Sequence, residues 1–354
     1  MNNILLYCRA GFESECGREF ARLSNRFGAG ETAVAVPGSG YAVHRFAGES
    51  SCRECIRTLP FSSLTFGRQM SAASDPVGPL SPGNRVAPLV KEAGRFGMRF
   101  AGFFVETADT NEAKQLSGLC RKLAAPLAEA LNKEDLLDKA AGAEARRLHI
   151  LFTATDRAYA GYSHVGNSSP WPRGIPRLKF PAGAPSRSAL KLEEAFCVLL
   201  TKEEIARLLR PGLTAVDLGA SPGGWTWQFA VRGMHVTAVD NGSMDSRLLN
   251  SGLVRHVRSD AFTFVPRQPV DWMVCDVVEQ PSRIARLAAQ WIARKWCRVT
   301  IFNLKLPMKK RYEEVMRCKE IVSRELKPHD IGYDLSLKHL YHDREEVTAL
   351  LRRT

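Results

Sequence analysis

Residues 213–240 read LTAVDLGASPGGWTWQFAVRGMHVTAVD. Leu213, Ala215, Val216 and Leu218 form a short apolar run of the kind buried on both faces of a parallel sheet. Gly219, Gly223 and Gly224 permit a tight turn with close backbone approach. Trp225 to Val231 then suits a helix whose first amides point back at the turn, and His235 to Val239 suits a second strand ending on Asp240. A carboxylate about 20 residues past a glycine turn is well placed for the hydroxyls of a ribose. The stretch has the outline of a nucleoside-cofactor site on an α/β sheet.

The turn is G-A-S-P-G-G, not the G-x-G-x-x-G of dinucleotide sites, and Pro222 stiffens it. A cofactor without a pyrophosphate has less need of the amide cradle at a helix start. S-adenosylmethionine (SAM) is such a cofactor. The rival reading of these residues alone is a glycine turn that binds nothing, and the rest of the chain weighs against it.

The chain has 354 residues, room for roughly two or three domains. With 45% hydrophobic and 25% charged residues it has the composition of a soluble globular protein. Its net charge of +13 suits a polyanionic partner, most simply a nucleic acid. No apolar run approaches the ~18 residues that span a membrane, and MNNILLYCRAGFESEC is interrupted too soon for a signal peptide. A cytoplasmic protein with no membrane partner is expected. Nine scattered cysteines fit reduced, mostly buried thiols. Cys52-x-x-Cys55 lacks a second pair, so one side of a helix is favoured over a zinc or redox site, and no metal is expected.

Before the turn, the pattern predicts two α+β blocks. The first has strands at 3–8, 32–37, 41–46 and 64–70 with helices at 12–27 and 51–59, a β-α-β-β-α-β order of the ferredoxin-like type. A Ser-, Pro- and Gly-rich linker spans 72–85. The second block has a helix at 86–96, a strand at 99–106, a helix opened by a capping box at Asp109 to Glu112 and ending near Cys120, and a hairpin from Leu148. The stretch 166–185, GNSSPWPRGIPRLKFPAGAP, holds five prolines and forms no regular helix. There Arg173, Arg177 and Lys179 alternate with Trp171 and Phe180, which suits single-stranded nucleic acid; an ordered linker packing its aromatics is an equal reading.

From Ser186 onward strands alternate with helices, so a parallel, doubly wound sheet is expected. Ser186 to Leu200 reads as a helix with a capping serine and Lys191 in its second turn. Asp217, Asp240, Asp260, Asp276 and Lys305 all fall at the carboxyl ends of strands, where open α/β sheets bind ligands. A lysine at the end of a buried strand is hard to explain as core. Burial or a second cation lowers a lysine pKa from its usual ~10.4, and a neutral lysine is a competent base. The structural alternative is a salt bridge from Lys305 to Asp276 or Glu346.

These residues carry a resemblance. The C-terminal half resembles the FtsJ-like ribose 2′-O-methyltransferases, which use SAM and a Lys-Asp-Lys-Glu tetrad. The tetrad matches Lys191 in SRSALKLEEAF, Asp276 in DWMVCD, Lys305 in FNLKLPMKK and Glu346 in HDREEVT, where the neighbouring Glu345 aligns less well. Over essentially the whole chain, LPFSSL, ADTNE, GIPRLKFPA, APSRS, KLEEAF, PGGWT, IFNLKLPMKKRYEEV and YHDREEVT look like the bacterial 23S rRNA cytidine 2′-O-ribose methyltransferases of the RlmM type. The turn departs from that family at Ser221, where cysteine is usual, and no basic tail is expected past the last strand.

The resemblance implies a ferredoxin-like unit at 1–72, a THUMP RNA-binding domain at 84–165, a Pro-rich linker at 166–185 and a Rossmann-like, FtsJ-like methyltransferase domain at 186–354. It implies SAM over Ser221, Pro222, Gly223 and Gly224, with the two glycines letting the backbone approach its methionine part. Asp240 would take the ribose hydroxyls, Asp260 would sit near the adenine, and Ser188 and Asp276 would line the methionine end. Lys305 would be the general base, oriented by Lys191, Asp276 and Glu346. The implied partner is 23S rRNA, naked or in an early large-subunit assembly intermediate. Nothing reads as a dimer seam, so a monomer is expected.

Two rivals stand beside this reading. An amino-directed methyltransferase would carry two prolines where this chain has Asp276-Val-Val-Glu279. A non-catalytic RNA-binding or ribosome-assembly protein with a methyltransferase shell would have no need of the full tetrad.

Overall fold

Asn3–Tyr7 (β1) is buried at every position and pairs with a strand on each side. It is followed by Glu13–Ser24 (α1), Ala29–Val34 (β2), Tyr41–Phe46 (β3), Glu49–Thr58 (α2) and Gln69–Ala73 (β4). The computed structural model describes residues 1–138, 142 and 144–354. Contacts divide it into two units, Met1–Ile175 and Pro176–Thr354.

In the first unit the β-α-β-β-α-β order builds an antiparallel sheet. Cys52, Cys55 and Ile56 form the buried face of α2, and burial pushes both thiols up to about 12. The C-x-x-C is therefore a helix face against the sheet, with Cys52 Sγ donating to the Asn3 carbonyl at 3.4 Å. The chain continues with Val86–Gly94 (α3), Gly102–Thr107 (β5), Ser117–Lys133 (α4), Arg146–Ala154 (β6) and Arg157–His164 (β7). The two α+β blocks share one seven-stranded sheet, ordered β2-β3-β1-β4-β7-β6-β5 and joined where Ala72 and Ala73 of β4 pair with Tyr162 and Gly161 of β7.

Three local expectations are corrected here. The apolar run at 64–66 is not strand, because Glu19 of α1 accepts the amides of Thr65 and Phe66 at 2.8–2.9 Å; β4 begins only at Gln69. The helix expected to end near Cys120 starts later and runs to Lys133, past Pro126. At its approach Thr110 Oγ1 accepts the Ala113 amide at 3.0 Å, so the turn is capped by Thr110. Arg173 is drawn into the fold: its amide donates to Glu106 Oε2 at 2.5 Å and its guanidinium to Ser117 Oγ at 3.3 Å. Lys179 and Phe180 are exposed, and the Arg177 guanidinium lies 4.8 Å from the Tyr341 ring centre.

The second unit holds Ala189–Leu199 (α5), Lys202–Leu208 (α6), Thr214–Leu218 (β8), Gly224–Ala230 (α7), His235–Val239 (β9), Ser246–Leu249 (α8), Val254–Val257 (β10), Val270–Cys275 (β11), Pro281–Ala293 (α9), Cys297–Lys305 (β12), Arg311–Leu326 (α10), Tyr333–Lys338 (β13) and Glu346–Arg353 (β14). The sheet order is β10-β9-β8-β11-β12-β14-β13. Strands β8 to β12 run parallel, and β14 is antiparallel to both of its neighbours. Phe196 of α5, Phe229 of α7 and Trp272 of β11 meet with ring centres 5.8–5.9 Å apart. Burying each such side chain contributes about 1.5–3 kcal/mol, so the cluster pins α5, and Lys191 with it, to the sheet. The serine cap expected on α5 is absent; Ser186 and Ser188 hydroxyls bond each other at 2.7 Å. The capping box lies one helix later, between Thr201 and Glu204 of α6, which the sequence reading passed over.

Candidate active site

The turn after β8 is tied down from several sides. Asp240, at the end of β9, accepts the Ser221 amide at 3.0 Å and the Gly242 amide at 2.7 Å. Ser221 Oγ donates to the Ser243 carbonyl at 2.8 Å, and the Pro222 carbonyl accepts the Asp245 amide at 3.0 Å. Gly223 has φ +119°, a left-handed conformation that disfavours any side chain. A Cβ at Gly223 would overlap Leu248, and one at Gly224 would overlap the hydroxyls of Ser186 and Ser188. The missing side chains make room for the chain's own atoms, so packing within the chain accounts for both glycines. Ser188 also accepts the Trp225 indole N–H on its carbonyl at 3.1 Å, which brings the start of α5 against the start of α7.

Asp217 lies within β8, buried beneath the turn. Its Oδ2 accepts from Thr226 at 2.7 Å, while Oδ1 has no hydrogen-bond partner among the described residues. Burial, and secondarily the charges of Asp276 and Asp240, push this carboxyl up to about 7 against the opposing Thr226 bond. Asp260 sits three residues past β10, exposed, and caps its own loop by accepting the Phe262 amide at 2.7 Å.

The tetrad converges. Lys305 is the last residue of β12 and Glu346 the first of β14, and the antiparallel register sets them opposite each other. Asp276 follows β11, whose Cys275 pairs with Phe302 of β12, so the ends of the two parallel strands lie side by side. Lys305 Nζ donates to Asp276 Oδ1 at 2.8 Å and also to Glu346 Oε2. Lys191, in the first turn of α5, reaches Asp276 Oδ2 at 3.4 Å and pairs with Glu346 Oε1. Two ammonium groups and two carboxylates thus form a mostly buried set of zero net charge.

That charge balance corrects the expected tuning of Lys305. Burial works to lower its pKa, but Asp276 and Glu346 together outweigh burial and hold it above the ordinary lysine value. In this arrangement Lys305 is an ammonium.

A second layer was missed by the sequence reading. Asn303 Nδ2 donates to Asp276 Oδ1 at 2.9 Å. Thr348 Oγ1 lies 2.7 Å from Asn303 Oδ1 and 2.9 Å from Asp343 Oδ2. One hydroxyl carries one proton, so both contacts are satisfied when Asp343 supplies the second. Burial first, then Glu346 and Glu194, push the Asp343 carboxyl up to about 8, which favours that protonated form at neutral pH. Glu194 of α5 accepts the amides of Tyr341 and His342 at 2.7 and 2.8 Å and so holds the loop that carries Asp343. The signal was legible in FNLK: a polar residue two positions before a strand-end lysine shares its face.

Among the described residues, no group of three or more His, Cys, Asp or Glu is arranged to hold a metal ion. No helix is long and apolar enough to cross a membrane.

The chain matches known families along its length. Residues 1–71 match the RlmM ferredoxin-like domain, residues 84–164 the N-terminal model of ribosomal RNA large subunit methyltransferase M, and residues 184–322 the FtsJ-like methyltransferase model. A protein of Methylococcus capsulatus named ribosomal RNA large subunit methyltransferase M is 48% identical over 350 residues, covering 99% of this chain and 98% of that protein. Proteins of the same name from Haemophilus influenzae strain PittEE and Thauera aminoaromatica are 45% and 46% identical, covering 99% and 98% of this chain and 98% and 95% of theirs.

Proposed function

Since the chain belongs to the ribosomal RNA large subunit methyltransferase M family, we propose that it methylates the ribose 2′-hydroxyl of a cytidine in 23S rRNA, with SAM as methyl donor and Lys305 as the group that takes the hydroxyl proton. The observation that carries the proposal is the convergence of Lys191, Asp276, Lys305 and Glu346 at the edge that also holds the glycine turn.

The residues at the turn fit SAM. Asp217 Oδ1 is a buried acceptor left open beneath the turn, where a positively charged ligand would favour the ionised carboxylate. Asp240, although engaged by two amides, keeps lone pairs for ribose hydroxyls. Asp260 would lie on the adenine side, and Ser188, Ser221, Pro222, Gly223, Gly224 and Asp276 would border the methionine end. When bound, SAM supplies an electrophilic methyl on a positively charged sulfur.

Lys305 must give its proton to solvent before it can act as a base. A further positive charge beside the tetrad opposes the two carboxylates and makes the neutral amine accessible. Neutral Lys305 then accepts the 2′-hydroxyl proton on Nζ. Asp276 and Glu346 stabilise the ammonium that results, and Lys191 offsets their remaining charge. Fixing the hydroxyl in line with the methyl is a matter of positioning, to which the buried network behind Asp276 contributes.

The 2′-hydroxyl requirement makes the substrate RNA. Residues 1–72 and 84–165 would supply affinity through phosphates and RNA shape, consistent with the net charge of +13. The protein would act as a cytoplasmic monomer.

The test is Lys305→Ala. It abolishes transfer of labelled methyl from SAM to unmodified 23S rRNA while SAM binding survives; near-normal turnover would show that another group takes the proton. Alkali resistance of the labelled product at one position separates ribose from base modification.

A further inference from the structure

The tetrad side chains are recessed, and Lys305 is only 25% exposed. A ribose must reach into this recess. Its base is attached at C1′, next to the C2′ that bears the reacting hydroxyl, so the base has to rest on the rim. Two residues there stand out. Val278 is 85% exposed and Met308 is 90% exposed, whereas the other exposed large hydrophobic residues reach 40–55%.

Both belong to the loops that carry the reacting groups. Val278 lies two residues past Asp276 and Met308 three past Lys305. At no more than ~3.6 Å per residue, their Cα atoms lie within roughly 7 and 11 Å of those two anchors. The anchors are joined directly, with Lys305 Nζ 2.8 Å from Asp276 Oδ1. The Met308 loop is fixed at both ends: the Leu306 amide donates to the Glu345 carbonyl at 2.7 Å, and Arg311 pairs with Glu345 at 2.7 Å. Its tip also carries Lys309 and Lys310, both exposed and neither in an ion pair among the described residues. Largely exposed apolar side chains, one of them on a tethered tip beside two free cations, next to a recessed ribose site match the chemistry of an unstacked nucleotide.

We infer that Val278 and Met308 are the two jaws of a clamp that holds the face of the target nucleobase, with Lys309 and Lys310 on the neighbouring phosphates. The inference rests on the reading of the site as a ribose methyltransferase. It adds that the base is unstacked from its neighbours during the reaction. It also assigns the clamp a limited task. The jaws present only apolar side chains, which grip a base by its face and cannot distinguish the donors and acceptors of its edge. The clamp supplies hold without base identity.

The experiment measures methyl transfer by the full-length protein to unmodified 23S rRNA transcript, and SAM binding by calorimetry. Met308→Ser raises the KM for RNA roughly 2- to 10-fold, and Val278→Ser with Met308→Ser raises it further, with SAM affinity and melting temperature unchanged. Met308→Phe, a better stacking surface, restores or lowers KM. Lys309→Ala with Lys310→Ala flattens the salt dependence of RNA binding by about 0.7 in log–log slope per lost phosphate contact. When the target cytidine is replaced by uridine, Met308→Ser costs the same factor as on cytidine. An unchanged KM for RNA in the Val278→Ser, Met308→Ser double variant overturns the clamp while wild-type transfer still stands. A factor that depends on the base overturns the assignment of face-only recognition. Absence of transfer by the wild type overturns the methyltransferase reading itself.

Discussion

Glu346 is the carboxylate that both lysines share, and Glu346→Gln removes its charge with little change of shape. A unit charge about 4 Å away in an effective dielectric near 20 is worth about 4 kcal/mol, or roughly a thousandfold in the proton affinity of Lys305. The partial exposure of Lys305 and the freedom of its side chain reduce this to roughly a hundredfold. The sign is fixed by charge. The carboxylate favours the ammonium, so its loss lets the neutral amine form at lower pH. The ascending limb of the pH–rate profile therefore moves about 2 pH units to the acid side. The assay is single-turnover methyl transfer across roughly pH 6 to 10, with SAM and RNA saturating, so that chemistry limits the rate. The same variant leaves two ammonium groups facing one carboxylate. Breaking a buried pair costs on the order of 3 kcal/mol at neutral pH, and this deficit narrows as rising pH discharges the lysines. If the ascending limb lies at the same pH in both proteins, Lys305 is not the group whose deprotonation the rate reports.

Three further outcomes follow from the same geometry. Asn303→Ala deprives Asp276 of a buried donor and leaves Thr348 without its acceptor, so stability falls by about 1–3 kcal/mol; single-turnover rate drops while SAM affinity holds, and an unchanged rate would remove Asn303 from the positioning network. Gly224→Ala drives a methyl group into the Ser186 and Ser188 hydroxyls, costs about 1–3 kcal/mol by overpacking and weakens SAM binding, which calorimetry and melting curves read directly. Asp217 has its folded-state pKa raised to about 7, against about 3.9 in the unfolded chain, so its contribution is present below about pH 4 and is lost as pH rises to about 7; Asp217→Asn flattens the fall in melting temperature over that window, and parallel wild-type and variant curves would contradict the assignment.

The sequence was legible where chemistry sits at the ends of short apolar runs. The turn from Gly219 to Gly224 and the strand-end positions of Asp240, Asp276 and Lys305 could be read directly, because a buried parallel strand leaves few other places for a charge. What stayed hidden depends on partners distant in sequence. The run at 64–66 looks like a strand until Glu19 takes its amides. The two α+β blocks look separate until β4 pairs with β7 across a long interval. The charge state of Lys305 could not be judged from burial alone, since the two carboxylates that reverse the effect come from different strands. Asn303 could be read from FNLK, but its links to Thr348 and Asp343 need the register of β12 against β14, which no local pattern supplies.

The antiparallel placement of β14 has a temporal consequence. Glu346, which completes the tetrad, is made after β13 yet lies on β14 between β12 and β13; among the described residues β13 pairs with β14 alone, so the two strands join the sheet together at the edge of β12. A growing chain that has emerged only as far as β12 already holds the glycine turn, Asp240 and Asp276, and lacks Glu346. Pairing of β14 with β12 spans an intervening helix and strand, so it is slow compared with local helix formation. During synthesis, then, the glycine turn and its neighbouring acids are present before the tetrad is complete, because the tetrad waits for the β13–β14 pair to join β12.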